Sequence, residues 1–123
     1  MQARLLDLNV RPYREVWELQ HRLHAGVCEG REPETWIVVE HAPVVTLGRQ
    51  AKRENVLLSD GELARRGVEL VAVERGGDVT YHGPGQVVVY PIRRLSRFRE
   101  VVPLVRSLEA AIINLCARFG VRG

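Results

Sequence analysis

Residues 74–86 read ERGGDVTYHGPGQ and gather an arginine, two hydroxyls, an imidazole, an aspartate and four glycines between two apolar runs. Adjacent glycines carry no Cβ, so Gly76 and Gly77 allow the backbone to lie against a bound molecule that a side chain would hold away. Gly83, Pro84 and Gly85 then turn the chain sharply into the next run. On this reading a hairpin presents Thr80, Tyr81 and His82, with Arg75 at its base. Such a surface can hold a carbonyl or carboxylate beside an apolar wall. An ordinary turn whose glycines serve only the bend is the plainer reading of the same residues. The segment is not a phosphate loop: neither GxxxxGK[ST] nor GxGxxG occurs, and Lys52 is the only lysine.

Other chemistry-bearing residues are scattered. His21 and His24 stand at i, i+3 spacing and could share a metal, but no third ligand accompanies them, so a solvated helix face is expected. Cys28 follows His24 by one helical turn, which could pair thiol and imidazole, yet it is far in sequence from the glycine-rich segment. Cys116 falls on an apolar helical stripe and is expected to be buried. Neither cysteine has the paired spacing of a zinc site. With no export signal in MQARLLDLNVRPYREVW, they are expected as reduced thiols in a cytoplasmic protein.

The elements that must position these groups follow from periodicity. The chain has 123 residues and is 46% hydrophobic, enough for one domain, and no apolar run approaches the roughly 20 residues of a membrane span. Its formal charge of +3, almost wholly arginine on the basic side, is modest for a nucleic-acid binder. The densest basic cluster, RRLSRFRE at 93–100, reads as a solvated connection or a protein-docking patch. Residues 5–10 predict a strand. After Pro12, Tyr13, Val16, Trp17, Gln20, Leu23 and Val27 recur at helical spacing until Gly30. TWIVVEH (35–41) and VVTLG (44–48) predict two strands or one strand broken at Ala42 and Pro43. Asp60 can cap a short helix, and VELVAVE and QVVVYPI are strand-like runs flanking the glycine-rich segment. Residues 100–119 predict a second long helix, with Val101, Val105, Leu108, Ile112, Leu115, Cys116 and Phe119 on one face and Gly120 at its end. The sum is a mixed α/β domain.

RGGDVTYHGPGQVVVYP (75–91), with EHAPVVTLGR (40–49) as a second block, resembles the lipoyl(octanoyl) transferase family, and the order of elements is similar over nearly the whole chain. The resemblance implies a biotin/lipoate protein ligase-like mixed sheet flanked by helices. It also implies transfer of octanoyl from octanoyl-acyl carrier protein to lipoyl domains of 2-oxoacid dehydrogenases and of the glycine cleavage H protein. That reaction uses a cysteine thioester and needs no cofactor, metal, nucleic acid or membrane. It makes Arg75, Gly76, Gly77, Asp78, Val79, Thr80, Tyr81 and His82 the substrate-binding segment, with His41 reaching the same pocket. In that family the acyl-accepting cysteine and an assisting lysine follow the second long helix, and no such block occurs within these 123 residues. The chain is therefore expected to be the amino-terminal part of a single catalytic domain, inactive alone. An ATP-dependent ligase of the related type and a non-catalytic carrier-binding half-domain remain as alternatives.

Overall fold

Burial alternates along β2 (Thr35–His41): Thr35, Ile37, Val39 and His41 are buried, and the residues between them are half-buried. In the computed structural model, which describes residues 3–123, β1 (Arg4–Arg11) runs parallel to β2. On the other side β6 (Val87–Ile92) runs antiparallel to it, completing a sheet in the order β1-β2-β6. Among the described residues β6 pairs only with β2, which is why Pro91, with no N–H to give, is tolerated there. Helix α1 (Tyr13–Cys28) begins directly after Pro12, a residue with a preset φ that suits a helix start. Its Val16 and Leu23 pack on Ile37 and Val39, with Leu6, Leu8, Leu19, Val88, Tyr90 and Ile92 around them. Each fully buried aliphatic side chain here is worth about 1.5–3 kcal/mol of transfer free energy.

The second sheet has the order β4-β3-β5, formed by β3 (Val44–Leu47), β4 (Glu69–Ala72) and β5 (Val79–His82). Its central strand is parallel to β4 and antiparallel to β5. Val44 faces Tyr13 and Val71, with Trp17 and Val73 packed against them, whereas Val45 faces Val56 and Leu63 on the other side. Burial on both faces explains why β3 reads as a continuous apolar run rather than an alternating one. Leu63 comes from α2 (Asp60–Arg65). The cap of that helix is Ser59, not Asp60 as expected: Ser59 Oγ accepts from the Glu62 amide, and the Glu62 carboxylate accepts from the Ser59 amide at 2.9 Å. This capping box satisfies two otherwise orphaned donors, which a lone aspartate one residue later cannot do.

Of the two readings of 35–41 and 44–48, the structure takes the first: they are two strands, and they lie in separate sheets. One further expectation changes. The residues expected to form a hairpin do not pair with each other: β5 pairs with β3 and β6 with β2. The turn at 83–86, closed by the Gln86 amide donating to the Gly83 carbonyl at 3.1 Å, carries the chain from one sheet to the other.

These elements belong to a compact unit ending at Arg93, and Arg94–Gly123 form a second. The latter holds α3 (Val101–Arg118) after a short 3-10 turn at Phe98–Glu100. No other element of that unit covers the helix, so Val105, Ile112, Leu115 and Phe119 are exposed, and Cys116, expected to be buried, is only half-buried. No described helix is long and apolar enough to cross a membrane.

Candidate functional site

Strand alternation divides the glycine-rich segment into two faces. In the β3–β5 ladder Thr46 lies opposite Thr80 and Val44 opposite His82, while Val45 meets Tyr81 and Leu47 meets Val79. Val79 packs in the cluster beneath α2, and Tyr81 borders a groove on that side with Leu57 and Arg66. Thr80 and His82 take the opposite face, toward Tyr13 and His41. The His82 ring stacks nearly parallel to Tyr13 at 6.5 Å between centroids, and the His41 ring lies 5.8 Å from it.

Arg75 joins the two strands on this face. Its Nη2 donates to the Thr46 carbonyl at 3.0 Å, the Thr46 hydroxyl at 2.8 Å and the Thr80 hydroxyl at 2.9 Å. Nε donates to Thr46 Oγ1 at 3.3 Å, and Nη1 to the Gly76 carbonyl at 2.9 Å. All three guanidinium nitrogens thus face protein acceptors, and the planar fork serves as a brace.

In the strap at residues 76–78, Gly77 and Asp78 are tied to residues 48–55. The Gln50 side chain accepts from the Gly77 amide at 2.5 Å, the Gln50 amide donates to the Gly77 carbonyl at 3.1 Å, and the Gly48 amide donates to the Asp78 carbonyl at 2.9 Å. The Asp78 carboxylate accepts from the Lys52 amide at 3.2 Å and from the Asn55 side chain. Gly77 has φ +85°, a conformation that costs a side-chain-bearing residue strain.

His41, fully buried at the end of β2, is brought to within 2.8 Å of the Tyr90 hydroxyl through Nε2. Its Nδ1 is buried without a hydrogen-bond partner. Burial lowers the pKa of His41 from the ordinary 6.5, nearby His82 lowers it further, and the Arg11 main chain opposes both. Burial likewise keeps the Tyr90 phenol protonated far above the ordinary tyrosine range. A neutral His41 and a protonated Tyr90 thus share one hydrogen bond between Nε2 and the phenol oxygen. A histidine that protonates less readily when folded adds stability above the unfolded pKa, and that contribution is lost as pH falls from about 6.5 through the folded value. Urea unfolding is expected to give a lower stability at about pH 5.5 than at pH 7.5, with a smaller difference in His41→Gln. Equal pH dependence in the two proteins would refute the assignment.

Between α1 and the ends of β4 and β6 lies an open cleft of about 500 Å³. Trp17, Val73 and Ile92 give it apolar walls, Tyr13, Gln20 and Tyr90 polar atoms, and His21, His24, Glu74 and Arg75 line it as well. Of the expected site residues only Arg75 borders this cleft. Thr80 is linked to Arg75, His82 and His41 reach Tyr13, and Gly76, Gly77 and Asp78 stand in the strap beside it. Tyr13, Gln20, Thr46 and Tyr90 were not singled out in the sequence. Gln20 did leave a signal, as the polar member of an otherwise apolar helical stripe. The His24 Nε2 lies 3.7 Å from the Cys28 sulfur, an exposed contact along the same helix. Among the described residues no group of three or more His, Cys, Asp or Glu side chains could hold a metal.

Comparison with known proteins agrees with this arrangement of sheets and helices. The family model described as "Lipoyl protein ligase A/B catalytic domain" matches residues 12–123, and the chain belongs to that family. It is 48% identical to an octanoyltransferase of Acidobacterium capsulatum, over 99% of this chain and 53% of the relative. It is 43% identical to an octanoyltransferase of Chloroflexus aggregans, over 90% of this chain and 51% of that one. The chain thus spans about half the length of the curated relatives it matches. The fold is shared with protein Ta0514 of T. acidophilum, with a TM-score of 0.71 and 20% identity over 99% of this chain and 50% of that one.

Proposed function

We propose that residues 1–123 supply the amino-terminal part of an octanoyltransferase catalytic domain, acting in the cytoplasm. In this reading a cysteine thiolate attacks the carbonyl of octanoyl-acyl carrier protein and releases the carrier thiol. A lipoyl-domain lysine amine then attacks the enzyme thioester and releases the cysteine. Both the cysteine and an assisting lysine come from outside residues 1–123. The observation that carries the reading is the cleft, whose apolar walls suit an acyl chain and whose rim includes Arg75. The segment from Arg75 through Gly76, Gly77, Asp78, Val79, Thr80, Tyr81 and His82 forms the substrate-binding side. Thr80, bound to Arg75, and His82, stacked on Tyr13, support the cleft wall from the next layer, Val79 and Tyr81 lie on the opposite face of the strand, and His41 holds Tyr90 in place.

The test is octanoyl transfer from octanoyl-acyl carrier protein to a lipoyl domain, by the 123-residue chain and by a version extended with the remaining half of a relative. Turnover is expected only from the extended protein, which should not use octanoate plus ATP. Transfer by the short chain that disappears in Cys28→Ala or Cys116→Ala would overturn the proposal, and use of octanoate plus ATP would indicate a ligase.

A further inference from the structure

Gln20 reaches the cleft from the third turn of α1, and its Nε2 is buried there without a hydrogen-bond partner. A buried amide N–H that finds no good acceptor is costly, so such a group in a cleft wall is either a defect or a place reserved for a ligand acceptor. The nearest acceptor is the Tyr90 phenol: a side-chain hydrogen bond from Gln20 opposes the rise in the Tyr90 pKa, but its geometry is too loose to satisfy Nε2. An amide nitrogen has two protons, so a loose approach to one oxygen leaves the other uncommitted. The Tyr90 hydroxyl is itself paired with His41 Nε2 at 2.8 Å.

The neighbouring groups define what the acceptor must be. Arg75 borders the cleft, but its nitrogens are occupied by Thr46, Thr80 and Gly76. Glu74, also on the rim, adds negative charge. A carboxylate would therefore meet an acidic neighbour and a guanidinium that already donates from each of its three nitrogens to the protein, whereas an uncharged carbonyl needs only one donor. Trp17, Val73 and Ile92 supply apolar surface for a chain attached to that carbonyl.

We propose that Gln20 Nε2 is the hydrogen-bond donor to the carbonyl oxygen of an acyl thioester bound in this cleft, a binding and specificity role that rests on the acyltransferase reading. Gln20 distinguishes a thioester from its reduced analogue and takes no part in bond making or breaking.

Two probes that differ only at the carbonyl test this: S-octanoyl pantetheine and its thioether counterpart S-octyl pantetheine. In proton–nitrogen NMR of the 123-residue chain, both are expected to shift the Trp17 indole signal, and only the thioester to shift the Gln20 side-chain amide pair downfield. Gln20→Leu is expected to weaken thioester binding about tenfold and to leave thioether binding unchanged. Gln20→Met serves the same purpose if the leucine variant does not fold, and the NMR comparison on the parent chain requires no variant. Equal movement of the Gln20 amide with both probes, unweakened thioester binding in the variant, or no response at Trp17 and Gln20 to either probe would each overturn the inference. These outcomes are separable from failure of the transferase reading, which is decided by turnover in the extended protein.

Discussion

Arg75→Ala is expected to lower the unfolding free energy by roughly 3 kcal/mol, because it strands acceptors on two strands at once. Thr46 is fully buried, and both its carbonyl and its hydroxyl accept from Arg75, as does the Thr80 hydroxyl. Water cannot replace a donor at Thr46 without opening the β3–β5 ladder. Arg75→Lys is expected to recover little of the loss, since a single ammonium cannot reproduce the planar fork that spans Thr46, Thr80 and Gly76. Urea unfolding followed by circular dichroism gives the measurement, and a cycle with Thr46→Val identifies the cause. If the brace is real, the double variant loses clearly less than the sum of the two single ones. Additive losses, or a change below about 0.5 kcal/mol in Arg75→Ala, would remove Arg75 from this role. The structure thereby separates Arg75 from Thr80 and His82. All three belong to the segment expected to bind substrate, and for Arg75 the fold itself is at stake.

Gly48→Ala should be comparably damaging, by about 1–3 kcal/mol or more. A Cβ at position 48 would fall well inside contact distance of the Gly77 carbonyl oxygen and 2.9 Å from its carbon. Both are backbone atoms, held by the Gln50 amide and by the bond from the Gly48 amide to the Asp78 carbonyl. No rotamer change can relieve the clash, so the strap must separate from the strand end. Gly76→Ala is the matched control: a Cβ there meets nothing within 4 Å, and a change within about 0.5 kcal/mol is expected. Equal stabilities for the two variants by urea unfolding would mean that the close approach of residues 48 and 77 is not a feature of the folded protein.

The parts of this site that were legible in the sequence are those governed by local periodicity. The strand at 35–41 announced itself through its β-branched and aromatic residues, and the burial alternation along it places His41 on the same face as Ile37 and Val39. Helix α1 was visible from its apolar stripe, and the stop near Gly30 from the glycine itself, whose φ is +74°. The choice of strand partners was not legible. VTYH followed by GPGQ gives the same local signal whether the next strand folds back on it or enters another sheet, because pairing is decided by which buried faces meet. The brace was hidden for the same reason. An arginine beside two glycines suggests a ligand, and only the ladder that puts Thr46 opposite Thr80 turns it into a strut. Gln20 was noticeable as a polar residue in an apolar stripe, but its lack of a partner depends on how Tyr90 of β6 is positioned.

The two sheets are nested along the chain rather than sequential. β3, β4 and β5 occupy one continuous stretch between β2 and β6, and where that stretch leaves and returns, Glu40 and Val87 are ladder partners. Pairing β2 with β6 therefore closes a loop containing the entire second sheet. A flexible loop of that length resists closure through its chain entropy, and a compact insert whose ends already lie side by side resists it much less. The less costly folding order is inside out, with the inner sheet bringing the Glu40 and Val87 ends together before the outer ladder zips. The Gly85 amide, which donates to the Glu40 carboxylate at 2.7 Å, sits at that point of closure.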